Sequence, residues 1–212
     1  MNMDVFKVFL ILHVITGAIG LLLGSFILIR KKGDKVHKKL GRIFAIAMII
    51  NGLSAFVLSY IHPNIFLFIV GVFSVYLASS GYRMISLKNI SNGQKPKIID
   101  YSLTFLMLIA CLAFLYIGIT NLISGVYFGS ILCMFGLISF RLCYSDYKLY
   151  TGKMTDDLQW LKNHIGRMTG AYIASLTAFL VVNNTLLPPF LAWSLPTIIG
   201  LFFIIRTIRK LN

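Results

Sequence analysis

Long apolar stretches alternate with short polar segments along the whole chain, at a spacing that predicts membrane-spanning helices. A helix needs about 20 apolar residues to cross about 30 Å of hydrocarbon, and most of the stretches are close to that length. We therefore predict an all-α, polytopic membrane protein, a bundle of seven transmembrane helices. The predicted spans are Val8–Ile29, Gly41–Ile61, Ile65–Leu87, Tyr101–Ile119, Val126–Tyr144, Ile165–Val182 and Leu191–Ile205.

The polar segments leave no room for a separate soluble domain, because each is too short to fold alone. We predict one seven-helix transmembrane domain over residues 1–212. Small residues recur every three or four positions along several spans. In the first span, Gly17, Gly20 and Gly24 form such a stripe together with His13. Such stripes allow helix backbones to approach closely, so we expect these faces to point into the bundle.

Basic residues lie almost entirely on one side of the predicted spans, which predicts the orientation of the chain. Of the 20 Lys and Arg residues, 19 lie in or beside four alternate segments, and the three connections on the other side carry no charge. Positive segments stay in the cytoplasm, so we predict a cytoplasmic (inner) membrane protein with the N-terminus outside and the C-terminus inside. This orientation is compatible with a parallel 3+1+3 repeat. The basic segments are residues 30–40, 84–100, 145–164 and the tail from 206.

The composition favours a membrane protein and argues against nucleic-acid binding. Hydrophobic residues make up 58% of the chain and charged residues 12%, unlike a soluble domain. The net charge of +14 is already explained by the basic segments, which we expect to contact membrane lipids. The three cysteines show no Cys-x-x-Cys spacing, so neither a disulfide framework nor a zinc finger is indicated.

Ionisable residues at or near bilayer depth are the candidates for function. His13 is predicted to lie inside the bundle, either as a packing residue or as a functional group. A second group lies near the cytoplasmic ends, where helix N-termini and Arg side chains suit an anion. We predict that it binds a small anionic ligand or a lipid headgroup; ordinary basic anchors are the alternative. The candidate ligand-binding residues are His37, Arg42, Arg83, Asp146, His164 and Arg167.

Two cofactor hypotheses compete with anion binding. His13 is a candidate haem ligand, and His37, His164 and Asp146 are of the ligand types found in zinc hydrolases. Neither is favoured, because no residue spacing requires it, and no phosphate loop or catalytic motif occurs. The first hypothesis is a binding or transport protein, the second a haem- or metal-dependent redox enzyme or hydrolase, and the third a structural or partner-binding protein. No metal, enzyme activity or oligomeric state is assigned.

Four short segments carry a family resemblance. They run from Leu12 to Gly17, from Lys32 to Phe44, from Ser80 to Arg83, and from His164 to Asn183. Together they resemble an uncharacterised family of bacterial predicted multi-pass membrane proteins, a domain of unknown function. The resemblance implies a multi-pass protein of a bacterial cell membrane, and implies no particular reaction. The positions that carry the likeness include His13, His37, Arg42, Arg83, His164 and Arg167.

Overall fold

The computed structural model describes residues 3–154 and 156–211, which fold into seven long α-helices without a strand. Within these residues, all seven helices are long and apolar enough to cross a membrane. The predicted fold class and number of spans are therefore confirmed. The helices are α1 Met3–Ile29, α2 Lys35–Ile61, α3 Ile65–Arg83, α4 Ile98–Ile123, α5 Phe128–Tyr150, α6 Gln159–Asn183 and α7 Pro189–Arg209, and two 3-10 turns follow α3 at Met84–Leu87 and Ile90–Asn92.

Several helices extend beyond the predicted apolar runs at their basic ends. Helix α2 begins at Lys35 rather than at Gly41, and α5 ends at Tyr150 rather than at Tyr144. At α2 the reason is local, because the carboxylate of Asp34 accepts a hydrogen bond from the backbone N–H of His37 at 2.7 Å. This N-cap starts the helix before the apolar run begins.

Packing divides the chain into two units. The first comprises Met1–Ile85 and Leu161–Asn212, and the second comprises Ser86–Trp160. In the first unit α2 packs against both α1 and α3, and in the second α4 packs against α5. The predicted single domain, the orientation and the 3+1+3 repeat stay predictions.

Glycines mark the closest helix contacts in both units. A Cβ atom added to Gly52 of α2 would lie 2.8 Å from the carbonyl oxygen of Gly71 in α3. In the second unit, a Cβ on Gly118 of α4 would lie 3.0 Å from the carbonyl oxygen of Gly129 in α5. Real Cβ atoms rarely come so near to backbone, so these helices touch backbone to backbone, as expected where lipid provides no hydrophobic drive.

The predicted small-residue stripe of α1 is confirmed as a packing face. A Cβ on Gly17 would lie 3.0 Å from the side-chain nitrogen of Asn51, and one on Gly20 would lie 2.7 Å from the sulfur of Met48. Both partners belong to α2, so this stripe fixes how α1 lies on α2. The rest of α1 exposes apolar side chains suited to lipid: Val8, Ile11, Val14, Ile15, Leu22 and Ile29.

Candidate functional site

His13 lies between α1 and α2 and is held by polar atoms of α2. Its Nδ1 atom lies 3.1 Å from the backbone oxygen of Asn51 and 3.0 Å from Oγ of Ser54. The side-chain amide of Asn51 donates a hydrogen bond to the His13 carbonyl at 2.7 Å. A carbonyl oxygen only accepts, so the Asn51 contact is a hydrogen bond when Nδ1 carries the ring proton. This reciprocal contact favours the packing interpretation of His13.

Three helices of the first unit meet at the last turn of α3, at Gly81 and Tyr82. From the start of α6, the His164 Nδ1 atom donates to the Gly81 carbonyl at 2.8 Å. From α2, Arg42 Nε donates to the Tyr82 hydroxyl at 3.0 Å, and Arg83 is the next residue of α3. The structure thus brings two predicted site residues, Arg42 and His164, to the turn of α3 that precedes Arg83. We call this region the basic end, formed by residues 30–42, 81–83 and 164–167.

Arg167 lies inside this region, against α3. Its side chain is only 2% exposed, and its guanidinium carbon lies 5.5 Å from the centre of the Tyr76 ring. A Cβ on Gly81 would lie 2.9 Å from the Arg167 Cβ, so the glycine allows α6 to approach α3. A buried guanidinium over an aromatic face stabilises the contact between the two helices. The prediction that Arg167 itself binds a ligand stays a prediction.

His37 also belongs to the basic end, in the first turn of α2. It is within electrostatic range of His164 and of three charged residues before α2. Its Nδ1 atom is buried and makes no hydrogen bond within the described residues. The His37 ring is therefore not fixed through Nδ1, in contrast to His13 and His164. The three charged residues are Arg30, Lys32 and Asp34.

Asp34 is the only acid of the basic end, and its carboxylate is already engaged. It accepts the hydrogen bond from the His37 backbone and forms an ion pair with Arg30. The hydrogen bond from His37, together with the Arg30 guanidinium, holds the pKa of the Asp34 carboxyl below its ordinary value. This acid therefore stays ionised at neutral pH, and Lys31, Lys35, Lys38, Lys39 and Arg42 leave the basic end strongly positive.

Asp146 belongs to the second unit. It is fully buried, and it accepts a hydrogen bond from Thr104 Oγ1 at 2.7 Å. Thr104 also donates to the Asp100 carbonyl of its own helix at 3.1 Å. The contact links α5 to α4. The prediction that Asp146 belongs to the ligand-binding residues stays a prediction.

The helical architecture agrees with a comparison of the chain against protein families. Residues 10–106 match DUF2306, a predicted membrane protein family. This confirms the resemblance for the segment that carries α1, α2, α3 and the start of α4. Searches of curated proteins and of solved structures each found no match. The DUF2306 match and the seven apolar helices together identify a multi-pass membrane protein.

The DUF2306 segment contains four of the seven candidate residues, namely His13, His37, Arg42 and Arg83, and the other three, Asp146, His164 and Arg167, lie beyond it. The sequence pattern did not single out Asn51, Ser54 and Tyr82, the partners of His13 and Arg42 in this segment. Asn51 carried a usable signal, since an amide inside an apolar span needs a partner. Ser54 and Tyr82 carried none, because hydroxyl groups are common in spans and commonly bond to their own helix.

Within the described ranges, no three His, Cys, Asp or Glu side chains lie close enough to hold one metal ion. The remaining histidine, His62, packs its ring edge-on against Phe6, with centroids 4.5 Å apart. A depression of about 600 Å³ beside the α2–α3 turn is lined by Phe56, Ser59, Tyr60, Pro63, Asn64, Ile65 and Phe68, and by none of the predicted site residues.

Proposed function

We propose that the protein is a binding or transport protein that takes up a small anionic ligand or a lipid headgroup at the basic end of its first unit. One observation carries the proposal: Arg42 and His164, from different helices, bond to the adjacent residues Tyr82 and Gly81. Two helices thereby each place a basic side chain against the last turn of α3. His37, from the first turn of α2, lies within electrostatic range of His164.

The charge of the basic end favours an anion over a metal cation. Its single carboxylate, on Asp34, is engaged by Arg30 and by the start of α2. Among the described residues, Arg42 hydrogen-bonds through Nε to Tyr82, and we expect its two Nη groups to meet the ligand. A guanidinium held at one nitrogen presents a planar pair of donors that matches phosphate or carboxylate oxygens. Arg167 would support the site by holding α6 against α3.

The direct test compares two substitutions on α2 that remove one positive charge each. Arg42→Gln removes the guanidinium held by Tyr82, whereas Lys39→Gln removes an exposed lysine of the same helix. Binding of inorganic phosphate and of phosphatidic acid is measured by titrating the purified protein in nanodiscs. A hydrogen bond to a charged group contributes about 1.5–3 kcal/mol, so Arg42→Gln should weaken binding by tenfold or more. Lys39→Gln should change it less than twofold.

Two results would count against the proposal. The first is wild-type protein that binds neither probe. The second is Arg42→Gln protein that keeps wild-type affinity while its circular dichroism shows the same helix content.

We also propose that the basic end faces the cytoplasm, with the N-terminus outside. The support is the distribution of basic residues, because positive segments stay on the cytoplasmic side. An amine reagent that cannot cross the membrane should label Lys7 in intact cells, and should label Lys38 only after the membrane is opened. Labelling of Lys38 from outside in intact cells would contradict the proposed orientation.

A further inference from the structure

The end of α7 presents apolar and basic side chains on one face of the helix. Five side chains together line a depression of about 350 Å³, and they follow one another as two apolar residues and then three basic ones. Their spacing is that of residues on one side of a helix. The five residues are Phe202, Ile205, Arg206, Arg209 and Lys210.

This face is not the one by which α7 packs on its own unit. A Cβ atom added to Gly200 would lie 2.3 Å from the side chain of Ile173 in α6, and the Lys32 ammonium lies 5.5 Å from the centre of the Phe203 ring. In contrast, Phe202 and Ile205 are 66% and 49% exposed. Because α7 is long and apolar enough to cross a membrane, we expect the depression to open towards lipid.

The charge of the depression is positive and is not balanced within its own part of the chain. Residues 158–212, which include all of α6 and α7, contain no Asp or Glu. Long basic side chains lay their stems along apolar surface and keep the charged group in water. Phe202 and Arg209 are seven residues apart, or about 10 Å along the helix. The cations can therefore lie at headgroup level while the two apolar residues lie beside acyl chains.

We propose that this depression binds one anionic phospholipid of the surrounding membrane. Its phosphate contacts the guanidinium groups of Arg206 and Arg209, and the first part of an acyl chain lies along Phe202 and Ile205. Guanidinium donors match phosphate oxygens, and cations near a membrane surface favour anionic over neutral lipid. The cations also suit the C-terminal dipole of α7, but that interaction needs no apolar wall beside them. The site is separate from the basic end and does not rest on the proposed function.

The test compares two arginine substitutions by native mass spectrometry of the purified protein in detergent micelles. The probes are phosphatidylglycerol and phosphatidylcholine. Arg206→Gln removes a cation of the depression, and the control Arg141→Gln removes an exposed arginine of α5 that has no other cation within one turn. Wild-type protein should prefer phosphatidylglycerol. Arg206→Gln should weaken its binding about fivefold, and Arg206→Gln with Arg209→Gln about twentyfold, whereas Arg141→Gln should leave the affinity close to wild type.

A second pair of variants tests the apolar wall of the depression. Phe202→Ala should weaken phosphatidylglycerol binding more than Leu201→Ala, because Leu201 is 50% exposed on the same turn but does not line the depression. All these side chains are on the surface, so circular dichroism should show unchanged helix content.

Three results would overturn the α7 site. They are equal wild-type affinity for the two lipids, equal effects of Arg206→Gln and Arg141→Gln, and displacement of phosphatidylglycerol by inorganic phosphate, which would indicate a soluble anion. Loss of phosphatidylglycerol binding in Arg42→Gln but not in Arg206→Gln would also overturn it, and would instead support the proposed function.

Discussion

Replacing Gly52 by alanine should force α2 and α3 apart. The new Cβ would lie 2.8 Å from the carbonyl oxygen of Gly71 and 3.1 Å from the backbone nitrogen of Val75. An ordinary contact begins near 3.4 Å, so the two backbones must separate by about 0.6 Å. Neither neighbour is the flexible end of a side chain that could turn away. Overpacking of this kind costs about 1–3 kcal/mol.

The same substitution at Gly41 provides a matched control on the same helix. Both changes gain about 1 kcal/mol of helix propensity, but the Cβ at Gly41 meets nothing within 4 Å. The propensity gain cancels in the comparison, so Gly52→Ala should be less stable than Gly41→Ala by about 1–3 kcal/mol. Unfolding of the purified protein in mixed micelles, followed by circular dichroism, measures the difference. Equal stabilities would refute the backbone contact at Gly52.

Two further predictions concern polar contacts of the first unit. Ser54→Ala removes the contact with His13 and should lower the free energy of unfolding by about 0.6–1.7 kcal/mol, the range for hydrogen bonds between membrane helices. The Ser59 hydroxyl bonds within α2, so Ser59→Ala should lower the free energy of unfolding by less in the same assay. Because the pKa of Asp34 is lowered in the folded protein, its carboxylate stabilises the fold above the ordinary aspartate pKa of about 3.9, and this contribution is lost as pH falls through the folded value. The melting temperature of Asp34→Asn should therefore lie below wild type at pH 7 and approach it near pH 2, and an equal gap at both pH values would contradict the role of the charge.

The number of helices could be predicted from the sequence because an apolar run of span length has few other stable states in lipid. The residues at which the helices begin and end were harder to predict. The apolar run of α6 begins at Ile165, yet the helix begins at Gln159, since polar residues continue a helix once its backbone is paired. The end of α1 at Ile29 and the start of α3 at Ile65 were predicted correctly, because short polar turns follow or precede them directly.

The members of the candidate site could be predicted individually, but their arrangement could not. Arg42 and His164 are polar residues near the ends of predicted helices, and such a position can be recognised from each helix by itself. Their meeting at Tyr82 and Gly81 depends on α6 packing beside α3, and no local pattern specifies that neighbour. Gly81 belongs to a motif that the sequence shows, but its close contact with Arg167 of α6 can be seen only in the folded structure.

Lys32 shows that equal charges in the sequence are not equal on the surface. Its ammonium group donates to the carbonyls of Ile27, Leu28 and Arg30 at 2.6, 2.7 and 2.9 Å, and so closes the exposed end of α1. Burial, with the nearby positive charge of Arg30, lowers the pKa of Lys32. The number of cations in this turn therefore overstates the number available to bind a solute. The Lys32 ammonium group is already used to cap the last carbonyl groups of α1.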